Sequence, residues 1–444
     1  MYFVGIYLWA FLGNVAVTEM KLLSQLDLLS CQTGHACYKM LSIMIDMEQL
    51  KTLSHTSISK IVFLVIDGLG GLPHPETGKT ELETANKPNL DQLSIHSLCG
   101  LTVPVGSGIT AGSTPGHLAL FGYDPVKYSI GRGIVEALGI DLQLDPSDIA
   151  ARGNFCTVDN DGIIVDRRAG RVSTDKNTEL CEMLNKIVID GVDIAVYPVK
   201  EHRFVLILKG NGLQSDLKDS DPQQVGLPAI RIEPLSPEAG ETAKIVNEFI
   251  DQARKKLQKE KRANMVLLRG FSEHPNIPSI PDIYKLKPCA IAIYPMYRGL
   301  GRMLGMQVPA AVNNIAEETE QLRSYYKDYD FFFVHFKNTD SRGEDGDFDA
   351  KVQAIEELDA VLPNILRLNP DVLVVAGDHY TPATLAMHSW HPVPFMLNSK
   401  WCRPDNVTEF SERACATGGL GRFPAVDIMP LAMANALKLN KFGA

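Results

Sequence analysis

Three stretches of this chain are continuous apolar runs with no alternation: Lys60-Ile-Val-Phe-Leu-Val-Ile66, Asp330-Phe-Phe-Phe-Val-His-Phe336 and Asp371-Val-Leu-Val-Val-Ala376. Runs of this kind suit strands buried on both faces, the condition of a parallel sheet covered by helices. Helical patterns lie between them. One starts at Lys87, with Pro88 tolerated in the first turn, and another covers Asp349 to Leu362, with Pro363 as its expected end. This alternation predicts an α/β fold with its site along one edge of the sheet. Each run also stops in chemistry. Asp67-Gly68 follows the first, Asp340 and Glu344 the second, and Asp378-His379 the third, with His388 and His391 shortly after. Open α/β sheets hold their ligands at the carboxyl ends of the strands. A turn aspartate capping backbone amides would explain any one of these residues, but not the recurrence.

Between the first two runs, Val103 to His117 (VPVGSGITAGSTPGH) carries too much Gly and Pro for a regular helix or strand through Ser113. Helical character is expected to begin at His117. A serine on such a turn faces free N–H groups and the positive end of the helix dipole, which favour anions and a developing alkoxide. A plain N-cap accounts for a lone serine there, but not for the acid and histidine clusters elsewhere. Asp340 and Glu344 are four apart and share a face if helical. Asp378 and His379 are adjacent and diverge from an extended strand end, so they could serve two ions rather than one. So many carboxylates in one cleft repel unless cations neutralise them. Two divalent metals roughly 3.5–4 Å apart are the usual arrangement for phosphoryl transfer. A metal on Ser113 would favour its alkoxide.

The length of 444 residues predicts two domains, or one with a large insertion. A formal net charge of -10 argues against a general nucleic-acid binder, yet leaves room for an anionic small molecule where basic residues gather. Such residues gather between 131 and 295, where short strands alternate with Gly/Pro/Asp-rich joints and an amphipathic helix runs from about Gly240 to Lys261. They are Arg152 with Asn154, then Arg167, Arg168, Arg171, Arg203 and Arg269, and guanidinium forks match phosphate and carboxylate oxygens. The 8 cysteines show no zinc spacing and fit a reduced, cytoplasmic chain. Residues 1–56 read as a separate extension. Its apolar stretch Tyr2 to Val17 is short of the ~20 residues of a membrane span and lacks a basic leader, so membrane attachment is not expected.

Several of these segments resemble one family. Asp67-Gly, Gly112-Ser-Thr-Pro-Gly-His-Leu-Ala-Leu-Phe-Gly-Tyr-Asp-Pro125, Gly377-Asp-His-Tyr-Thr-Pro382 and His388-Ser are similar to the archaeal-type, cofactor-independent phosphoglycerate mutases of the alkaline phosphatase superfamily. So are Gly131-Arg-Gly-Ile-Val-Glu-Ala-Leu-Gly139, Asp166-Arg-Arg-Ala-Gly-Arg171 and Tyr294-Pro-Met-Tyr-Arg-Gly299. The resemblance covers about residue 58 to the end. It implies an alkaline-phosphatase-like, mostly parallel sheet between helices (57–130 and 296–444), interrupted by an α+β cap (131–295). It also implies two divalent ions, Mn2+ or Mg2+ with Zn2+ as the alternative, and no 2,3-bisphosphoglycerate. Ser113 would be the nucleophile, with Asp67, Asp378 and His379 beside it on one metal and Asp340 and His388 on the other. Where the family pattern puts His, this chain has Glu344, a harder donor that shifts preference toward Mg2+ or Mn2+. His335, Asp345 and His391 lie close enough to substitute.

The reaction implied is interconversion of 3- and 2-phosphoglycerate through a phosphoserine, with cap arginines clamping the substrate. The rival readings are a phosphomonoesterase or phosphotransferase on the same core, and a non-catalytic homologue prompted by Glu344. The oligomeric state stays open.

Overall fold

The three apolar runs become neighbours in space. A computed structural model describes residues 45–128 and 130–443. In it β1 (Ile61–Ile66) lies between β9 (Phe331–Phe336) and β10 (Val372–Ala376), parallel to both. On the far side of β9, β8 (Pro288–Ala292) adds a further parallel strand. Past β10 come β11 (Val393–Ser399), antiparallel to its two neighbours, then β2 (Leu98–Val103), then β12 (Arg422–Pro424) parallel to β2. The resulting 7-stranded sheet is mostly parallel, with the order β12-β2-β11-β10-β1-β9-β8.

Every residue of β1, β9 and β10 is buried, which is why these strands show no alternation in sequence. The period of two survives in what each face touches. Phe63, Val65, Phe331, Phe333 and Val374 pack on one side with Leu118, Phe121 and Tyr297. Val62, Leu64, Phe332, Val334 and Val375 pack on the other with Leu358 and Leu362. Each fully buried side chain of this size contributes roughly 1.5–3 kcal/mol.

The helix Phe348–Leu366 supplies that second layer, and it does not stop at Pro363 as expected. Proline lacks the N–H that would bond the carbonyl of Asp359 four residues back. That carbonyl accepts instead from Asn89 Nδ2 at 3.1 Å, so the lost bond is replaced from a neighbouring helix.

The segment 131–295 also departs from its expected limits. A 5-stranded antiparallel sheet forms within it from β3 (Ile149–Val158), β4 (Ile164–Asp166), β5 (Asp193–Lys200), β6 (Arg203–Lys209) and β7 (Met265–Ser272). Helices Thr174–Leu184 and Gly240–Leu257 cover one face through Leu180, Leu184, Val246 and Phe249. The strand Pro288–Ala292, placed in this segment by its sequence, instead pairs with β9 in the larger sheet. Its pattern PCAIA is too short to declare a partner.

Residues 47–56 likewise belong to the fold, and the expected extension ends earlier than 56. Helix Met47–Leu53 buries Leu50, and His55 N and Leu53 O bond Lys438 O and Asn440 N at 3.0 and 2.8 Å. The stretch Tyr2 to Val17 lies outside the described residues. Among the described residues no helix is long and apolar enough to cross a membrane.

Candidate active site

The carboxyl ends of β1, β9 and β10 converge with the turn after β2. Ser113 is the first residue of helix Ser113–Leu120, and Gly112 takes the cap position with extended backbone. The helix therefore starts four residues before the expected His117, because Pro115 falls in the first turn, where a missing N–H costs nothing. Ser113 Oγ lies 3.2 Å from His379 Nε2.

His379 shows how the site is poised. Its Nδ1 is 3.0 Å from Thr381 Oγ1, whose own hydrogen goes to Asp340 Oδ1 at 2.7 Å. Nδ1 must then carry the ring proton, which leaves Nε2 with a lone pair whose nearest donor is the Ser113 hydroxyl. That lone pair faces Asp67 Oδ1 at 3.4 Å and Asp378 Oδ2 at 3.1 Å, and neither oxygen accepts a hydrogen bond although both side chains are fully buried. Three electron-rich atoms that converge with no hydrogen shared among them are a donor set for a cation. Asp67, Asp378 and His379 therefore fit a divalent metal, with Ser113 Oγ beside them.

A second donor group adjoins the first. His388 Nδ1 meets Ala111 O at 3.0 Å, which turns Nε2 toward Asp340 Oδ1 at 3.4 Å and Glu344 Oε1 at 3.7 Å. His379 and His388 stack with ring centroids 3.6 Å apart, and Asp340, His379 and His388 form a ligand-spaced cluster. One nitrogen of His379 is already committed to Thr381, so its free Nε2 belongs with the first group. Glu344 is half exposed and lies at the open rim, outside the tight cluster. Asp345 is also half exposed, 4.0 Å from Arg171, and His391 bonds Ser389, so neither reaches the donor groups.

Lys337, Tyr297 and His117 were not read from the sequence as parts of this site, and His335 was read only as a substitute ligand. Lys337 Nζ lies 3.1 Å from Asp67 Oδ2 and also contacts Asp340, joining one carboxylate from each group. Burial disfavours its charge, but Asp67, Tyr297 and Asp340 outweigh that and hold its pKa well above the usual lysine range. Asp67 moves the opposite way: Lys337 and His335 overcome its burial and keep it ionised. His335 Nε2 is 3.1 Å from Asp67 Oδ2, Tyr297 donates to the same oxygen, and the two rings stack at 3.6 Å. Burial takes His335 down to about 4, so it acts as a neutral donor. His117 Nδ1 approaches Asp378 Oδ2 at 3.1 Å. The available signal was position alone, since Lys337 directly follows a strand that is apolar but for His335.

The basic residues of the smaller sheet gather around His202. Burial and the charges of Arg203, Arg152, Arg168 and Arg171 push its pKa down to about 3. Arg152 Nε and Asn154 Oδ1 have no hydrogen-bond partner although buried. Arg203 contacts the Tyr294 hydroxyl, and Lys337 Nζ lies 6.0 Å from the same ring, which links this cluster to the metal-ligand side. Arg167 and Arg269 are held differently. Arg167 is bidentate to Asp221 at 3.0 and 2.7 Å, and Arg269 reaches Asp221 at 3.5 Å, so their charge is partly spoken for. Arg132, read only as part of a motif, joins the group: burial and the charges of Arg152 and Arg269 lower its pKa.

Comparison with known proteins shows what the chain is similar to. A family model described as 2,3-bisphosphoglycerate-independent phosphoglycerate mutase matches residues 95–263. A Thermosipho africanus protein named "Probable 2,3-bisphosphoglycerate-independent phosphoglycerate mutase" is 50% identical over 404 residues, covering 90% of this chain and 100% of the relative. A Thermus thermophilus protein of the same name is 46% identical over 400 residues, covering 89% and 98%. Among solved structures, one from Pyrococcus horikoshii superposes with a TM-score of 0.76 at 30% identity over 88% of this chain and 100% of that one. The cofactor-independent phosphoglycerate mutase of Thermoplasma acidophilum gives 0.61 at 29% identity, covering 85% and 100%. With relatives this similar matching along their whole length, and a serine set among buried acids and histidines, the chain belongs to the 2,3-bisphosphoglycerate-independent phosphoglycerate mutase family.

Proposed function

We propose that the chain interconverts 3-phosphoglycerate and 2-phosphoglycerate by way of a phosphoserine at Ser113, without 2,3-bisphosphoglycerate. The observation that supports this most directly is the Ser113 hydroxyl 3.2 Å from a histidine nitrogen that also faces one oxygen of each of two buried carboxylates, Asp67 Oδ1 and Asp378 Oδ2, left without a hydrogen bond. Asp67, Asp378, His379 and Ser113 would hold one divalent ion, and Asp340, His388 and Glu344 the other. Mn2+ or Mg2+ suits an oxygen-rich set better than Zn2+. When bound, the pair supplies charge neutralisation at the phosphoryl oxygens and lowers the pKa of the serine hydroxyl.

The chain's own groups do the rest. Ser113 Oγ gives up its proton and forms a bond to phosphorus, while the bond from phosphorus to the substrate's hydroxyl oxygen breaks and that oxygen is protonated. Lys337 places a fixed positive charge beside both donor groups. Arg152, Arg168, Arg171 and Arg203 hold the glycerate carboxylate and phosphate, with Asn154 and Arg132 at the edge of the cluster. Arg167 and Arg269, already engaged by Asp221, orient that surface. Glycerate turns in place, and its other hydroxyl takes the phosphoryl group back from Ser113. The segment carrying the smaller sheet acts as a cap that keeps water out, which separates a mutase from a phosphatase. The partner is a small phosphorylated acid, and the free cysteines among the described residues fit a cytoplasmic location.

The test is a coupled assay on purified protein with Mn2+ and no added bisphosphoglycerate. Turnover that disappears on chelation, returns with Mn2+ and is absent in Ser113→Ala is the expected result. Dependence on added 2,3-bisphosphoglycerate would overturn the scheme, and steady release of inorganic phosphate would assign the phosphatase reading instead.

A further inference from the structure

Lys351 is fully buried in the first turn and a half of helix Phe348–Leu366, and the chemistry above gives it no task. A buried ammonium is costly unless all its donors are used. Here they are. Nζ donates to Gly68 O at 3.0 Å, Gly70 O at 2.7 Å and Thr381 O at 2.7 Å. All three acceptors are backbone carbonyls in the two loops that follow β1 and β10.

Two buried carboxylates hold the same loops by the opposite kind of group. Glu412 accepts from Gly71 N at 2.8 Å and from Thr80 Oγ1 at 2.8 Å. Glu81 accepts from Ala383 N at 2.8 Å, and its other oxygen is buried without a partner, balanced by the lysine charge nearby. Each loop is thus gripped by its carbonyls through Lys351 and by an amide through a glutamate. The loops carry the proposed ligands. Asp67 directly precedes Gly68, and Asp378 and His379 precede Thr381. Thr381 Oγ1 in turn bonds Asp340 Oδ1 and His379 Nδ1, and Gly68 N bonds Asp378 Oδ1 at 3.2 Å.

We infer that Lys351 is a positioning residue that holds both loops in ligand geometry before any metal arrives, so that metal binding does not have to order them. The inference rests on the metal reading given under Proposed function. It predicts that losing the lysine weakens metal binding per folded molecule, and does not merely weaken the fold.

The experiment is calorimetric titration of Mn2+ into chelator-stripped full-length protein: wild type, Lys351→Met and Lys351→Gln. The fold of each is checked by circular dichroism and urea unfolding without metal. Removing the groups that orient metal ligands typically costs 10–100-fold in affinity, and the methionine variant is expected in that range. Glutamine keeps two donors and no charge, and is expected between methionine and wild type. It serves alone if the methionine variant does not fold. Activity of the glutamine variant should recover with excess Mn2+. An Mn2+ affinity equal to wild type in whichever variant folds would overturn the inference while leaving the metal reading intact. Failure of the wild type to bind Mn2+ would overturn the metal reading, and the inference with it.

Discussion

Gly116 offers a way to perturb the active site without deleting any chemical group. It sits one turn after Ser113, and a Cβ built there would lie 2.2 Å from Asp378 O and 2.8 Å from Asp378 C. Both atoms are backbone and cannot swing aside. Reaching ordinary contact at 3.4 Å requires helix and strand end to part by about 1 Å, and the only helix affected carries the serine. The Ser113 Oγ to His379 Nε2 distance of 3.2 Å would then open beyond hydrogen-bond reach. A misplacement of about 1 Å costs on the order of 10²-fold in rate, equivalent to about 2.7 kcal/mol. Helix propensity pulls the other way, since alanine is better than glycine by about 1 kcal/mol in a helix interior. Gly116→Ala is therefore expected to lose about 10²-fold in kcat/KM in the coupled mutase assay at saturating Mn2+, with most of the loss in kcat. A variant with wild-type kcat and a higher urea midpoint would show that the close approach is not needed, and would refute this reasoning.

Two further outcomes concern the scaffold. Burial raises the Glu412 carboxyl to about 7 from its ordinary 4.5, even though Thr80 and Gly71 donate to it. Between those values the folded chain holds a proton that the unfolded chain has lost, so this group's contribution to stability falls as pH rises through that window, by at most about 3 kcal/mol. Urea midpoints from pH 4.5 to 8 should show a slope that Glu412→Gln flattens, and an unchanged slope would contradict the assignment. Asn89→Ala removes the donor that replaces the missing N–H of Pro363 and should cost about 1–3 kcal/mol by urea unfolding. Pro363→Ala in the same chain should recover part of that loss by restoring the helical bond; strict additivity of the two changes would argue against the coupling.

Burial on both faces made the large sheet legible: Ile61–Ile66, Phe331–Phe336 and Val372–Ala376 announce themselves because they are apolar throughout but for His335. The acids and histidines at their ends were legible for the same reason, as abrupt changes after apolar runs. Short elements were not. Pro288–Ala292 carries too few residues to reveal which sheet it joins, and the partner of a strand is decided by contacts hundreds of residues away. Pro363 misled because the group that satisfies Asp359 comes from another helix. Lys351 stayed hidden because a lysine on an amphipathic helix looks solvated until the loops above it are in place. Tyr297 and Arg132 lay inside stretches noticed only for their family resemblance, and their roles depend on which neighbours burial brings near.

The first strand of the large sheet is made long before either of its neighbours. Both neighbours of β1 come from the final third of the chain, and the bonds from Asp67 to His335 and from Gly68 to Asp378 span 268 and 310 residues. At ordinary translation speeds of about 5–20 residues per second, an exposed Ile-Val-Phe-Leu-Val-Ile segment waits on the order of tens of seconds for either partner. Nascent chains of this protein therefore present a sticky, unpaired ribbon to the cell while still on the ribosome. On the metal reading proposed above, a nascent chain that ends before β10 still lacks Asp378, His379 and His388.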